Sequence, residues 1–135
     1  MKRTAFLMLA FAALVAGCGS DSASYMVNGD RDTAFSLFRS KDFPGQDWKI
    51  DMALTHMPEC QRRYPLKRAS GDASKISLYR NAEGGYALQA GDAWYQGRLE
   101  GCRLQESASA PAAPGELIGA WEDRADGFKF YPVQK

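Results

Sequence analysis

The chain has 135 residues, 45% of them hydrophobic and 24% charged, with a formal net charge of +1. That is enough chain for one compact domain with a real core. The near-balance of charge supplies no basic surplus of the kind that a nucleic-acid partner demands.

Met1-Lys2-Arg3-Thr4 is a short positive segment, and Ala5 to Val15 is an apolar run of about 11 residues. That run has the length of a signal-peptide core and falls short of the roughly 20 residues that span a bilayer as a helix. Ser20-Asp21-Ser22 follows closely, so no stop-transfer pattern appears. Leu14-Val15-Ala16-Gly17-Cys18 closes the run. This resembles the lipobox of bacterial lipoproteins, and the chain as a whole resembles the small envelope lipoproteins of Gram-negative bacteria. The resemblance implies that residues 1–17 are a cleaved signal peptide and that the Cys18 thiol carries lipid. A single acyl chain binds membranes only marginally, so stable anchoring implies that Cys18 is multiply acylated. Gly19, in place of an aspartate, implies the outer membrane, on its periplasmic side. Loss of Lys2 and Arg3 would turn the formal charge to about −1.

Residues 18–24 are small and polar after the cysteine and read as a tether, with residues 25–135 as a single β-rich domain. Tyr25-Met26-Val27 starts a strand, and Asn28-Gly29-Asp30 is a turn. Thr33 to Arg39 alternates in the way of a strand, although Asp30 or Asp32 could instead cap a short helix. Phe43 to Asp47 is a loop. Trp48, Ile50, Met52 and Leu54 then alternate with Lys49, Asp51, Ala53 and Thr55, the pattern of a strand with one buried face. Pro58 ends it.

Cys60 to Arg68 reads as an irregular basic segment, and Ser70-Gly71-Asp72 as a turn. Lys75–Arg80 and Tyr86–Ala90 form a hairpin, Gly91-Asp92 turns, and Ala93 to Leu104 is expected to be one strand. A small-residue and proline linker occupies 107–115. Leu117–Glu122 and Phe128–Val133 form a last hairpin around Asp126-Gly127. The sum is a mainly β fold: a small antiparallel barrel, sandwich or curled sheet of about six to eight short strands.

In the oxidising compartment that the lipobox implies, Cys60 and Cys102 are expected to pair. Their spacing is wide for a redox pair, and with a single histidine the chain is poor in zinc ligands. Closing a loop of about 40 residues is worth up to roughly 4 kcal/mol.

His56 lacks a nucleophile elbow beside it and reads as a structural or surface histidine. Trp94, Tyr95 and Trp121 sit at strand spacing and suit a core or the wall of a pocket. Gly119-Ala120-Trp121 resembles the Gly-x-Trp signature of lipocalins, but it stands near the wrong end of the chain for that fold. Arg62, Arg63, Lys67 and Arg68 surround Tyr64 and Pro65 and form the leading candidate surface. Guanidinium forks suit phosphate, carboxylate or an acidic protein partner.

The expectation is a non-enzymatic, lipid-anchored envelope protein that binds a protein, lipid or peptidoglycan partner, with neither cofactor nor metal. A carrier of a small apolar ligand inside a β-barrel is the alternative. An envelope hydrolase is the weaker one.

Overall fold

The computed structural model describes residues 19–69 and 75–134; the lipobox with Cys18 and the turn at 70–72 lie outside the described residues. The described residues form ten strands: β1 (Gly19–Met26), β2 (Thr33–Lys41), β3 (Lys49–His56), β4 (Cys60–Pro65), β5 (Lys75–Arg80), β6 (Tyr86–Ala90), β7 (Ala93–Arg98), β8 (Arg103–Ser107), β9 (Glu116–Arg124) and β10 (Gly127–Pro132). They make two antiparallel sheets, one of four strands in the order β1-β2-β3-β4, the other of six in the order β10-β9-β5-β6-β7-β8. The expected β class and the Cys60–Cys102 disulfide are present, the latter with its Cα atoms 5.9 Å apart.

Four sequence expectations are corrected. The strands number ten rather than six to eight among the described residues. The tether is absent from residue 19 onward, because Gly19–Met26 is already strand. Its serines at 20, 22 and 24 face outward, while Asp21, Ala23 and Tyr25 turn inward opposite Arg39, Leu37 and Phe35. The irregular basic segment is β4 as far as Pro65, paired with β3 along its whole length. The single strand over 93–104 is two, β7 and β8, folded back at Leu99–Cys102, where Gly101 and Cys102 both have positive φ.

The sheets pack face to face. Phe35, Leu37, Met52 and Leu54 from the smaller sheet meet Ile76, Leu78, Leu88 and Trp121 from the larger one, all essentially inaccessible to solvent. The rings of Phe35 and Tyr86 meet across the gap at 4.7 Å. The apolar alternation of β3, opposite that of β2, generates this layer directly: Leu54 faces Phe35, Met52 faces Leu37 and Ile50 faces Arg39.

Among the described residues no backbone ladder joins the two sheets, so side chains close both seams. Along β1 and β10, Arg39 is only 6% exposed, yet charged. Its guanidinium donates to Asp21 Oδ2 at 2.9 Å and, as a fork, to both carboxylate oxygens of Asp123 at 2.7 and 2.8 Å. The rings of Trp48 and Phe128 flank it at 4.3 and 3.9 Å. The Trp121 indole N–H donates to the Ala23 carbonyl at 3.0 Å, and Tyr25 stacks on Phe130. Along β4 and β8, the disulfide, a Tyr64 hydroxyl bond to the Cys102 carbonyl and an Arg68–Glu106 ion pair of 2.9 Å do the same work.

These seams orient the molecule. Gly19, the β2–β3 loop, the β6–β7 turn and the β9–β10 turn share one end, with Arg39–Asp123 nearby. The disulfide, the β5–β6 turn and the β7–β8 turn share the other.

Candidate functional site

The four basic residues singled out by the sequence do not gather into one patch. Arg62 and Arg63 are neighbours on β4, opposite Leu54 and Ala53, and strand alternation sends them to opposite faces. Arg63 Nε lies 2.8 Å from Asp51 Oδ2, and its guanidinium covers the Phe38 ring at 4.2 Å. Arg68 is spent on the seam with Glu106. Arg62 and Lys67 are exposed and take part in none of the ion pairs among the described residues. Two of the four charges are therefore already balanced, and the other two are separated.

The remaining sequence candidates divide in the same way. His56 sits at the end of β3 with Nε2 3.3 Å from Glu59 Oε2. Tyr95 and Trp121 point into the core, at 4% and 0% exposure. Burial pushes the Tyr95 phenol above its ordinary pKa, which keeps it protonated. Trp94 alternates to the outer face of the larger sheet, its ring 5.7 Å from that of Tyr79.

That outer face carries a recess. The connection from β8 to β9 runs over it as a strap, because β9 must return to pair with β5 on the far side of β6 and β7. Gly115 ends the strap. A Cβ there would stand 2.2 Å from the Arg80 carbonyl oxygen, and φ is +105°, so only glycine fits. At the other side the β5–β6 turn is fixed by Asn81 Oδ1, which accepts the N–H groups of Glu83 and Gly85 at 3.0 and 2.8 Å. Between strap and turn lies a groove of about 380 Å³.

Its floor is Ala87, Gln96 and Gln105, the two glutamines directly opposite one another on β7 and β8. Its roof includes Pro111, Ala113 and Pro114. Arg98 and Arg103, also directly opposed, close one end. Both are exposed, and neither joins an ion pair among the described residues. Glu59 and Glu100 border an adjoining depression with them. Glu59 is engaged there with His56 and with the Gly101 N–H, the latter at 3.2 Å.

Sequence reasoning missed this groove because it drew Ala93–Leu104 as one strand. Glu100-Gly101 was the available turn signal. Reading it would have folded Arg103 back onto Arg98.

In comparisons with known proteins, no protein-family model, no curated protein and no solved structure matches the chain.

Proposed function

We propose that this protein is a lipid-anchored, non-catalytic binding module of the cell envelope, held by Cys18 at one end and capturing its partner in the groove at the other. The observation that carries this reading is the division between a filled interior and an open, roofed exterior. Trp121, Phe35, Leu37, Met52, Leu54 and Leu78 occupy the space between the sheets at less than 2% exposure. An apolar ligand would have to displace them, which argues against the carrier alternative. The groove has the volume of ordinary small-ligand sites, about 300–1,000 Å³, and needs no rearrangement to be reached.

The opposite end suits a lipid interface. Gly19 adjoins Cys18, and the β2–β3 loop beside it exposes Phe43 by 63%. Trp48 lies against Gly19, where a Cβ would come within 2.9 Å of the ring, and Lys41 Nζ rests 4.5 Å from that ring. Aromatic rings with a flanking cation favour the headgroup region of a bilayer.

Photo-cross-linking in cells tests the binding half of the reading. A cross-linking amino acid at Gln105, on the groove floor, is expected to capture a defined envelope component. The same group at Ser36, on the outer face of the smaller sheet, is expected to capture none. Equal capture at both positions, or capture at neither, contradicts the reading.

A further inference from the structure

We infer that Arg98 and Arg103 recognise the acid group of an anionic saccharide lying in the groove. This rests on the groove's being the binding surface, and deepens that reading by naming the ligand class. Like charges directly opposed on neighbouring strands destabilise a sheet. Here the pair closes the β7–β8 hairpin without a carboxylate bound to either arginine among the described residues. Elsewhere in this domain three exposed arginines are matched locally, Arg63 by Asp51, Arg68 by Glu106 and Arg124 by Glu122, and Arg62, which joins no ion pair among the described residues, stands opposite Leu54 and not opposite a second cation. Two forks on one face can together take both oxygens of a carboxylate or of a phosphate.

The rest of the face suits a sugar. The main-chain groups of β6 and β7 are consumed by ladders on both sides, so the floor at Ala87 and Gln96 offers no backbone pairing to a peptide, while β8, which carries Gln105, is an edge strand. Over β6 and β7 recognition must come from side chains. Gln96 and Gln105 each offer an amide donor and an acceptor, the complement that a ring hydroxyl or acetamido group requires. Glu83 adds an acceptor at the rim. Outside the groove lining and two residues along β7, about 7 Å from Gln96, Trp94 meets Tyr79 of β5, and the two rings provide an aromatic surface for the apolar face of a pyranose ring.

Calorimetric titration of the full lipidated protein in detergent with three disaccharides tests this. One carries the carboxylate of muramic acid, one is a glucosamine disaccharide bearing phosphates, and one is neutral chitobiose. At least one anionic sugar is expected to bind about tenfold or more tightly than chitobiose, and the two anionic arms separate a wall-type carboxylate from a lipid-type phosphate. The Arg98→Gln/Arg103→Gln variant is expected to lose that margin while melting no lower than the native protein, since a repulsion has been removed. Gln105→Glu, which keeps both arginines and sets a carboxylate on the floor, is expected to weaken binding independently. Equal affinity for chitobiose, or undiminished binding by the double variant, overturns the inference. If none of the sugars binds while a cross-linker at Gln105 still captures a protein, the ligand class is wrong and the groove reading stands. If both experiments are empty, both fall.

Discussion

At Arg39 a single side chain joins the two sheets. It pairs with Asp21 on its own sheet and with Asp123 on the other, between two aromatic rings. Breaking a buried ion pair from one side commonly costs about 3–5 kcal/mol because a charge is left stranded. Here the acids are 41% and 57% exposed and can be hydrated, so Arg39→Met is expected to cost less, about 2–3 kcal/mol by denaturant unfolding. Proton linkage gives a second readout. The Arg39 hydrogen bonds hold the Asp123 carboxyl below its ordinary value. A depressed folded pKa contributes stability in full above the unfolded value, about pH 4, and loses it as pH falls through the folded value. Asp123→Asn is therefore expected to flatten the loss of stability below about pH 4 and to leave its slope near neutrality unchanged; an unaltered acid limb would contradict this. The inward position of Arg39 was legible from its alternation with Phe35 and Leu37. Its partners were not, since they lie 18 and 84 residues away and leave no local pattern.

Among the elements, legibility followed burial. β3, with Ile50, Met52 and Leu54 buried, was plain in the sequence, although Ala53 and Thr55 on its other face are buried as well. β4 was not, because it is an edge strand whose residues are mostly exposed and whose inward positions include Arg62. β1 was hidden by its serines, which suit a tether as well as an outer sheet face. Strand β8 was hidden by a hairpin turn lacking proline and asparagine. The disulfide between β4 and the β7–β8 turn compensates for the thin packing at that seam. Its 42-residue separation corresponds to about 4 kcal/mol of chain entropy, so Cys60→Ala/Cys102→Ala is expected to destabilise by about that much, or by somewhat less where the unfolded chain retains structure. A loss under about 1 kcal/mol by denaturant unfolding would show that Tyr64 and the Arg68–Glu106 pair hold the seam by themselves.

For the whole molecule, polarity matters more than any one contact. Strands such as β2, nine residues long, put about 25–30 Å between the Gly19 end and the disulfide end. If Cys18 is lipidated, Phe43 and Trp48 meet the bilayer while Arg98, Arg103 and the Gly115 end of the strap lie toward the opposite end. The groove was not legible in the sequence, because it is made by non-local pairing: β9 returning to β5 draws the 108–115 strap across β6 and β7. The direct measurement is the depth of a nitroxide on the lipidated protein in vesicles. It would be placed at Asp47→Cys in the β2–β3 loop and, separately, at Glu83→Cys beside the groove. With Cys18 acylated and Cys60 bonded to Cys102, each variant offers one free thiol. A label at 47 that is shielded from a water-soluble relaxant and open to oxygen, with a label at 83 that is fully open to the water-soluble relaxant, is the predicted result. Equal aqueous exposure at both positions, on protein whose mass establishes lipid at Cys18, would contradict the proposed orientation; a mass without lipid at Cys18 would contradict the anchor itself.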